Sequence, residues 1–223
     1  CIVTRTFSHE VAIELAEQTS VPVINGLSDK EHPCQALADV FTLQEKWGEV
    51  EGKTLVYVGD GNNVCASLIH AAALSGMSFV AVTPTTHQPY AEAAEDFEAL
   101  AVSSSASYRY TDSLDGLEGA DAVYTDTWVS MGQEEEAKER LRNLQDYQIT
   151  FELMASTGKE SYFMHCLPAH RNQEVTDAVI DSAQSLVYEQ AENRLHVQKA
   201  LLLTLLAPGD VTRYLQLERF AAF

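Results

Sequence analysis

From Gly52 onward, short apolar runs alternate with longer amphipathic stretches, and that alternation restricts the chain to few architectures. Thr54 to Val58, Phe79 to Thr83, Ala122 to Thr125, Tyr162 to His165 and Leu186 to Tyr188 have the composition of strands buried on both faces. Between them, Val64 to Ser75, Tyr90 to Leu100, Glu134 to Leu144 and Asn172 to Ser182 read as helices. The order predicts an α/β fold: a parallel sheet flanked by helices on both sides. Ligands of such sheets sit beyond the carboxyl ends of the strands, so polar residues that follow the strands are expected to share a cleft.

The front of the chain is different. Ile2 to Thr6 reads as a strand feeding a helix from His9 to about Gln18, with Ser8 as its cap, and Val21 to Ile24 as a second strand. After the turn-rich Asn25 to Asp29, a helix is expected from Pro33, where a missing backbone donor does no harm, to Gly48. Leu37, Val40, Phe41 and Leu43 are its expected buried face. A last helix is predicted over Ala191 to Leu206.

Charge narrows the partners. Against 33 acidic residues stand 14 basic ones, a formal charge of -19, which disfavours nonspecific binding to nucleic acid or an anionic membrane. An anionic substrate then needs a few local cations. The apolar stretches are too short to cross a bilayer and no basic-then-apolar segment opens the chain, so a cytoplasmic location is expected. Cys1, Cys34, Cys65 and Cys166 form no Cys-x-x-Cys pair, which signals neither a zinc site nor a disulfide framework.

Several residues are placed where chemistry is possible, each with an ordinary alternative. His32 and Gln35 flank a helix start, where free backbone donors favour an anion; a capping box is the plainer account. Arg5, at a strand end, is a permanently charged fork or a surface charge. Gly59-Asp60-Gly61-Asn62-Asn63 follows a strand, but Val64 replaces the third glycine of a dinucleotide fingerprint, and Asn63 can instead donate to a carboxylate. Asp126 and Ser130-Met131 lie in a loop suited to a zwitterion, or in a simple turn. Cys166 is a site thiol, a nucleophile or a buried structural cysteine; His165 beside it points to the other side of an extended chain. Arg194, read as opening the last helix, is unfavourably placed for the helix dipole unless an anion, a carbonyl, Glu189 or Glu192 compensates it.

Taken in order, Arg5-Thr6, His32-Pro33-Cys34-Gln35, the Asp126 to Gly132 loop, His165-Cys166-Leu167-Pro168 and Arg194 resemble the motifs of the aspartate/ornithine carbamoyltransferases, the third and fourth motifs looking like the ornithine branch. The resemblance implies a Rossmann-like ornithine-binding domain over residues 47–190. It also implies a partial carbamoyl phosphate domain over 1–46, and a C-terminal helix and tail, 191–223, returning to it. Carbamoyl phosphate would be held by Arg5, His32, Pro33, Cys34, Gln35, Cys166, Leu167 and Arg194, and L-ornithine by Asn63, Asp126, Ser130 and Met131. Arg5, His32, Cys166 and Arg194 would be catalytic, without metal or organic cofactor, in a homotrimer or a multiple of trimers. The family's Ser-x-Arg-Thr loop has no counterpart here, so the resemblance also implies uncovered apolar surface and weak or absent catalysis. A noncatalytic amino-acid-binding protein and a dinucleotide-dependent oxidoreductase are the rival expectations.

Overall fold

A computed structural model describes residues 1–101, 104–129 and 134–212. It opens with β1 (Ile2–Arg5), α1 (His9–Gln18), β2 (Val23–Leu27) and α2 (Pro33–Trp47). β1 and β2 pair in parallel as a separate two-stranded sheet. Asn25-Gly26, expected as a turn, lies inside β2. A Cβ on Gly26 would come 2.9 Å from the Thr4 carbonyl oxygen, so the glycine serves the close approach of two backbones, and strand pairing overrides the turn tendency of Asn-Gly.

The rest of the chain runs β3 (Thr54–Val58), α3 (Asn63–Ser75), β4 (Ser78–Val82), α4 (Ala93–Leu100), β5 (Tyr108–Thr111), β6 (Ala122–Thr125), α5 (Ala137–Leu144), α6 (Phe151–Ala155), β7 (Tyr162–His165), α7 (Asp177–Ile180) and α8 (Val187–Leu206). Its five parallel strands lie in the order β5-β4-β3-β6-β7. Both faces are covered. Leu55 and Tyr57 of β3 pack with Phe79, Tyr124, Leu68 and Ile69, whereas Val56 and Val58 pack on the opposite side with Val123, Phe163, Ile149 and Val179. The alternation within an apolar strand thus fills two cores, the parallel arrangement the sequence predicts.

The chain steps outward from β3 through β4 to β5 and then returns to the other side of β3 with β6, so the sheet's switch point lies between β3 and β6. Adjacent crevices at such a point are where doubly wound sheets bind ligands.

Three sequence expectations are corrected. Leu186 to Tyr188 is not a strand; only Ser185 bridges to Phe163, and Val187 already begins α8. Short apolar runs do not distinguish a strand from a buried helix start. Tyr108–Thr111, whose Arg109 sits on an exposed edge strand, was not expected as a strand and forms β5. On α2, Leu37 and Phe41 face solvent; the buried positions include Gln35, Ala38, Asp39, Thr42 and Leu43.

That buried face of α2 receives α8, through Asn193 to Thr42 (3.0 Å) and Gln190 to Asp39 (2.8 Å), and Lys46 pairs with Glu189 (2.9 Å) at the surface beside it. Large apolar side chains are exposed at the front of the chain, including Val3, Phe7 and Val21, and along α8 at Leu195, Leu203 and Leu206. Among the described residues, no helix is long and apolar enough to cross a membrane.

Candidate functional site

The carboxyl ends of β1, β2, β3, β6 and β7 and the start of α2 surround one cleft of about 730 Å³. Arg5, His32, Asn63, Asp126, Cys166 and Leu167 line it. Six of the sequence-selected positions are therefore brought together by the tertiary structure. Gln35 and Arg194 stand directly behind His32, in contact with it or with each other. Ser130 and Met131 lie outside the described residues.

One cluster stands on strand tips. The Cys166 thiol donates to Asp126 Oδ1 over 2.9 Å, and the Asn62 amide donates to Asp126 Oδ2 over 2.7 Å. Asn62 is also the N-cap of α3, its oxygen accepting from the Val64 and Cys65 backbones at 3.0 and 3.1 Å. A single asparagine thereby locks the first turn of a helix to the carboxylate of a neighbouring loop. Burial, followed by the Asp126 charge, holds the Cys166 thiol well above its ordinary range, so it is a neutral donor and a thiolate nucleophile is disfavoured.

His165 does not activate that thiol. Its Nδ1 accepts from the Leu167 backbone N–H at 2.9 Å, which leaves Nε2 to donate to Glu174 at 3.2 Å. Glu174, fully buried, also accepts from the His170 backbone at 2.6 Å, closing the loop that carries Cys166 at both ends. Leu167 within it takes a left-handed φ of 58°, a conformation that surrounding contacts must hold. Asp126, His165 and Cys166 each offer a ligand atom within 4.8 Å of the others. With both ring nitrogens and the thiol committed to protein partners, this is a hydrogen-bonded cluster rather than an open metal-ligand set.

The second cluster stands on helices. His32 precedes α2 and is held by its own backbone N–H donating to Ser67 Oγ at 2.8 Å. Its side chain makes no capping bond, nor does Gln35 reach back to close a capping box. Instead Gln35 Oε1 accepts from Arg194 Nη1, while His32 Nε2 lies 3.4 Å from the same nitrogen. Burial, then Arg194 and Arg5, lowers the His32 pKa to about 4, so the ring is neutral at neutral pH.

One expectation for a single residue fails. Arg194 is the eighth residue of α8, not its opening, so the helix-dipole argument does not apply. Its partners are Gln35, His32 and, with the Gln198 amide turned to suit, Gln198 Oε1 at 2.7 and 2.8 Å, while Glu189 pairs with Lys46 and Glu192 with His196. Asn63 lines the cleft and also donates to the Ser28 carbonyl at 2.7 Å, while its neighbour Asn62 is the asparagine bonded to Asp126. Cys34 points away from the cleft, buried, with its thiol toward the Asn25 carbonyl. Pro33 occupies the first turn of α2.

The dinucleotide reading of Gly59 to Asn63 also fails. A Cβ on Gly61 would come within 2.4 Å of Pro89 N and 2.5 Å of Gln88 C, so this glycine admits the chain's own backbone. Asn62 already occupies the free donors of the helix start that a pyrophosphate would need.

Residues the sequence did not single out complete the site. Arg140 lines the cleft, forms a buried ion pair with Asp60 and donates from Nε to the Trp128 carbonyl at 2.8 Å. Burial outweighs this arginine and raises the Asp60 carboxyl to about 6. Nothing in the spacing of Asp60 and Arg140, eighty residues apart, signals their pairing.

Residues 51–205 match the family described as aspartate/ornithine carbamoyltransferase, Asp/Orn binding domain, and residues 1–45 match its carbamoyl-P binding domain. The chain is 49% identical over 207 residues to the ornithine carbamoyltransferase of Methanospirillum hungatei, covering 92% of this chain and 67% of that protein. It is 48% identical to that of Oceanobacillus iheyensis, covering 92% and 64%. Among solved structures, ornithine carbamoyltransferase from Pyrococcus furiosus aligns with a TM-score of 0.87 at 47% identity, over 93% of this chain and 66% of that one. The enzyme from Gloeobacter violaceus aligns at 0.85 and 38%, over 92% and 69%. The chain therefore spans about two thirds of the length of these relatives.

Proposed function

We propose, for a chain that belongs to the aspartate/ornithine carbamoyltransferase family, transfer of the carbamoyl group of carbamoyl phosphate to the δ-amine of L-ornithine. The products are L-citrulline and phosphate. The observation that carries this reading is that the Asp126–Cys166 pair and the cation-backed His32 face the same cleft.

In this reaction the neutral amine attacks the carbonyl carbon, a C–N bond forms, the carbon–oxygen bond to phosphate breaks, and the amine's proton leaves with phosphate or to solvent. Negative charge builds on the carbonyl oxygen and on the leaving phosphate. Arg5 at the cleft rim and Arg194 behind His32 supply fixed positive charge there, and neutral His32, its Nε2 turned to Arg194, lines the cleft without adding a charge. Gln35 orients the carbamoyl amide. Asp126 takes the α-ammonium of ornithine, so that binding at one end of the substrate places the reactive nitrogen at the other. Cys166, uncharged and bonded to Asp126, lies where it favours an uncharged amine without forming a covalent intermediate. The roles of Ser130 and Met131 toward the ornithine carboxylate, a homotrimeric or higher assembly, a cytoplasmic place and a part in arginine metabolism belong to the same proposal.

Incubation of the chain with carbamoyl phosphate and ornithine, with citrulline measured directly, tests it. Citrulline formation that drops in Cys166→Ala more through ornithine KM than through carbamoyl phosphate KM supports the assignment. Ornithine binding without citrulline would instead select the noncatalytic reading.

A further inference from the structure

Behind the cleft lies a carboxylate that the chemistry above does not use. Asp39 has no exposed surface, yet three donors converge on it: the amides of Gln35 and Gln190, each 2.8 Å from Oδ1, and the Tyr124 hydroxyl, 3.0 Å from Oδ2. Gln35 and Asp39 are one turn apart on α2, Tyr124 is on β6 and Gln190 is on α8, so one side chain joins three elements.

An amide side chain presents an acceptor at one end and a donor at the other, and its neighbours decide which end faces where. Both glutamines here are unambiguous. Gln35 turns its NH2 to Asp39 and its oxygen to Arg194, a group with donors only. Gln190 turns its NH2 to the same Asp39 oxygen, and its own oxygen accepts from the His165 backbone N–H at 3.0 Å, one residue before Cys166.

We infer that Asp39 is a positioning residue that sets the hydrogen-bonding polarity of the site, orienting Gln35 toward the carbamoyl donor and, through Gln190, anchoring the strand end that carries Cys166. The first half rests on the reaction proposed above. A carbamoyl group carries an NH2 that needs an acceptor; an acetyl group of the same shape carries a methyl that offers no donor. With its NH2 held by Asp39, Gln35 leaves its oxygen beside Arg194 and His32, where a carbamoyl NH2 entering from the cleft can share it, so this orientation favours carbamoyl phosphate over acetyl phosphate and the reversed amide would not. If Asp39 only tied α2 to β6 and α8, its loss would cost stability and leave that preference alone.

The test uses the full chain, its Asp39→Leu variant, which keeps the shape and removes the acceptor, and Asp39→Asn. Asparagine can keep its oxygen toward both glutamines while its NH2 turns to the Tyr124 hydroxyl, which can accept. Calorimetric affinities for carbamoyl phosphate, acetyl phosphate and ornithine are measured beside the side-chain amide NMR signals of Gln35 and Gln190. Asp39→Leu is expected to shrink the carbamoyl-over-acetyl preference by about tenfold, the size of one neutral hydrogen bond, with a smaller change for ornithine. Asp39→Asn is expected to recover most of that loss.

In the unaltered chain both amides should be protected from solvent exchange, a readout that stands even if Asp39→Leu does not fold. A freely exchanging Gln35 amide, or an unchanged preference in folded Asp39→Leu, overturns the inference alone. An unaltered chain that binds neither phosphate while both amides stay protected overturns the substrate reading and supports the orienting role of Asp39.

Discussion

The two walls of the cleft are built differently. His32, Gln35 and Arg194 stand on or beside two packed helices, α2 and α8, with a buried network behind them. Asn62, Asp126 and Cys166 stand on loops after β3, β6 and β7 and are held chiefly by bonding to one another. The helical wall is oriented from outside itself, through Asp39. The strand-tip wall takes one backbone anchor from Asp39 through Gln190, but its side chains are oriented from within, by a carboxylate that the proposed substrate must also use. Removing a support should therefore damage the first wall without touching substrate, whereas in the second the support and the contact are the same atoms.

Four outcomes sharpen or break that contrast. Arg140→Met leaves Asp60 buried without its partner and is expected to cost about 4 kcal/mol in a denaturant titration, the range for breaking a buried pair. A loss below about 1 kcal/mol would mean that this side of the cleft is not held by that ion pair.

Acidification reads the helical wall. Burial raises the Asp39 carboxyl from its ordinary 3.8 to about 6, against the hydrogen bonds from Gln190, Gln35 and Tyr124 and the charge of Arg194. The folded chain then binds this proton more tightly than the unfolded one, so relative to Asp39→Asn the unaltered chain should lose up to about 3 kcal/mol as pH rises from 4 to above 6. Parallel melting curves of the two proteins across that range would contradict it.

Asp126→Ala removes at once the acceptor for Cys166, for Asn62 and for the proposed ammonium, and a fall of about 100-fold in kcat/KM for ornithine is expected from citrulline assays. An equal fall in carbamoyl phosphate affinity would erase the division of labour between the walls. Tyr124→Phe should have the smallest effect, about 1 kcal/mol of stability for one hydrogen bond, with Gln35 still oriented by Asp39 Oδ1. A larger change in carbamoyl phosphate affinity than in stability would shift the orienting role toward Oδ2.

How much of this was legible along the chain depends on range. β3, β6 and β7 were read from unbroken apolar runs, and α1 and α2 from a Ser8 cap, Pro33 and Gly48, because those signals act within a few residues. β2 and the start of α8 were misread because Asn25-Gly26 and Leu186-Val187 carry local tendencies that pairing with β1 and docking on α2 override. Leu37 and Phe41 looked like the buried face of α2, but the neighbour that covers that helix bonds Asp39 and Thr42 instead.

The ordered motifs by themselves determined the sheet's general build, the loops that carry polar side chains and the family resemblance, since residue type and near-neighbour spacing suffice for each. Only the folded chain decided that Asn62 rather than Asn63 faces Asp126, that Arg194 meets Gln35 across more than a hundred and fifty residues, and that Arg140 closes on Asp60. A hydrogen bond or ion pair needs its two atoms within about 3 Å, and no pattern along one strand of sequence records which distant segments packing will bring that close.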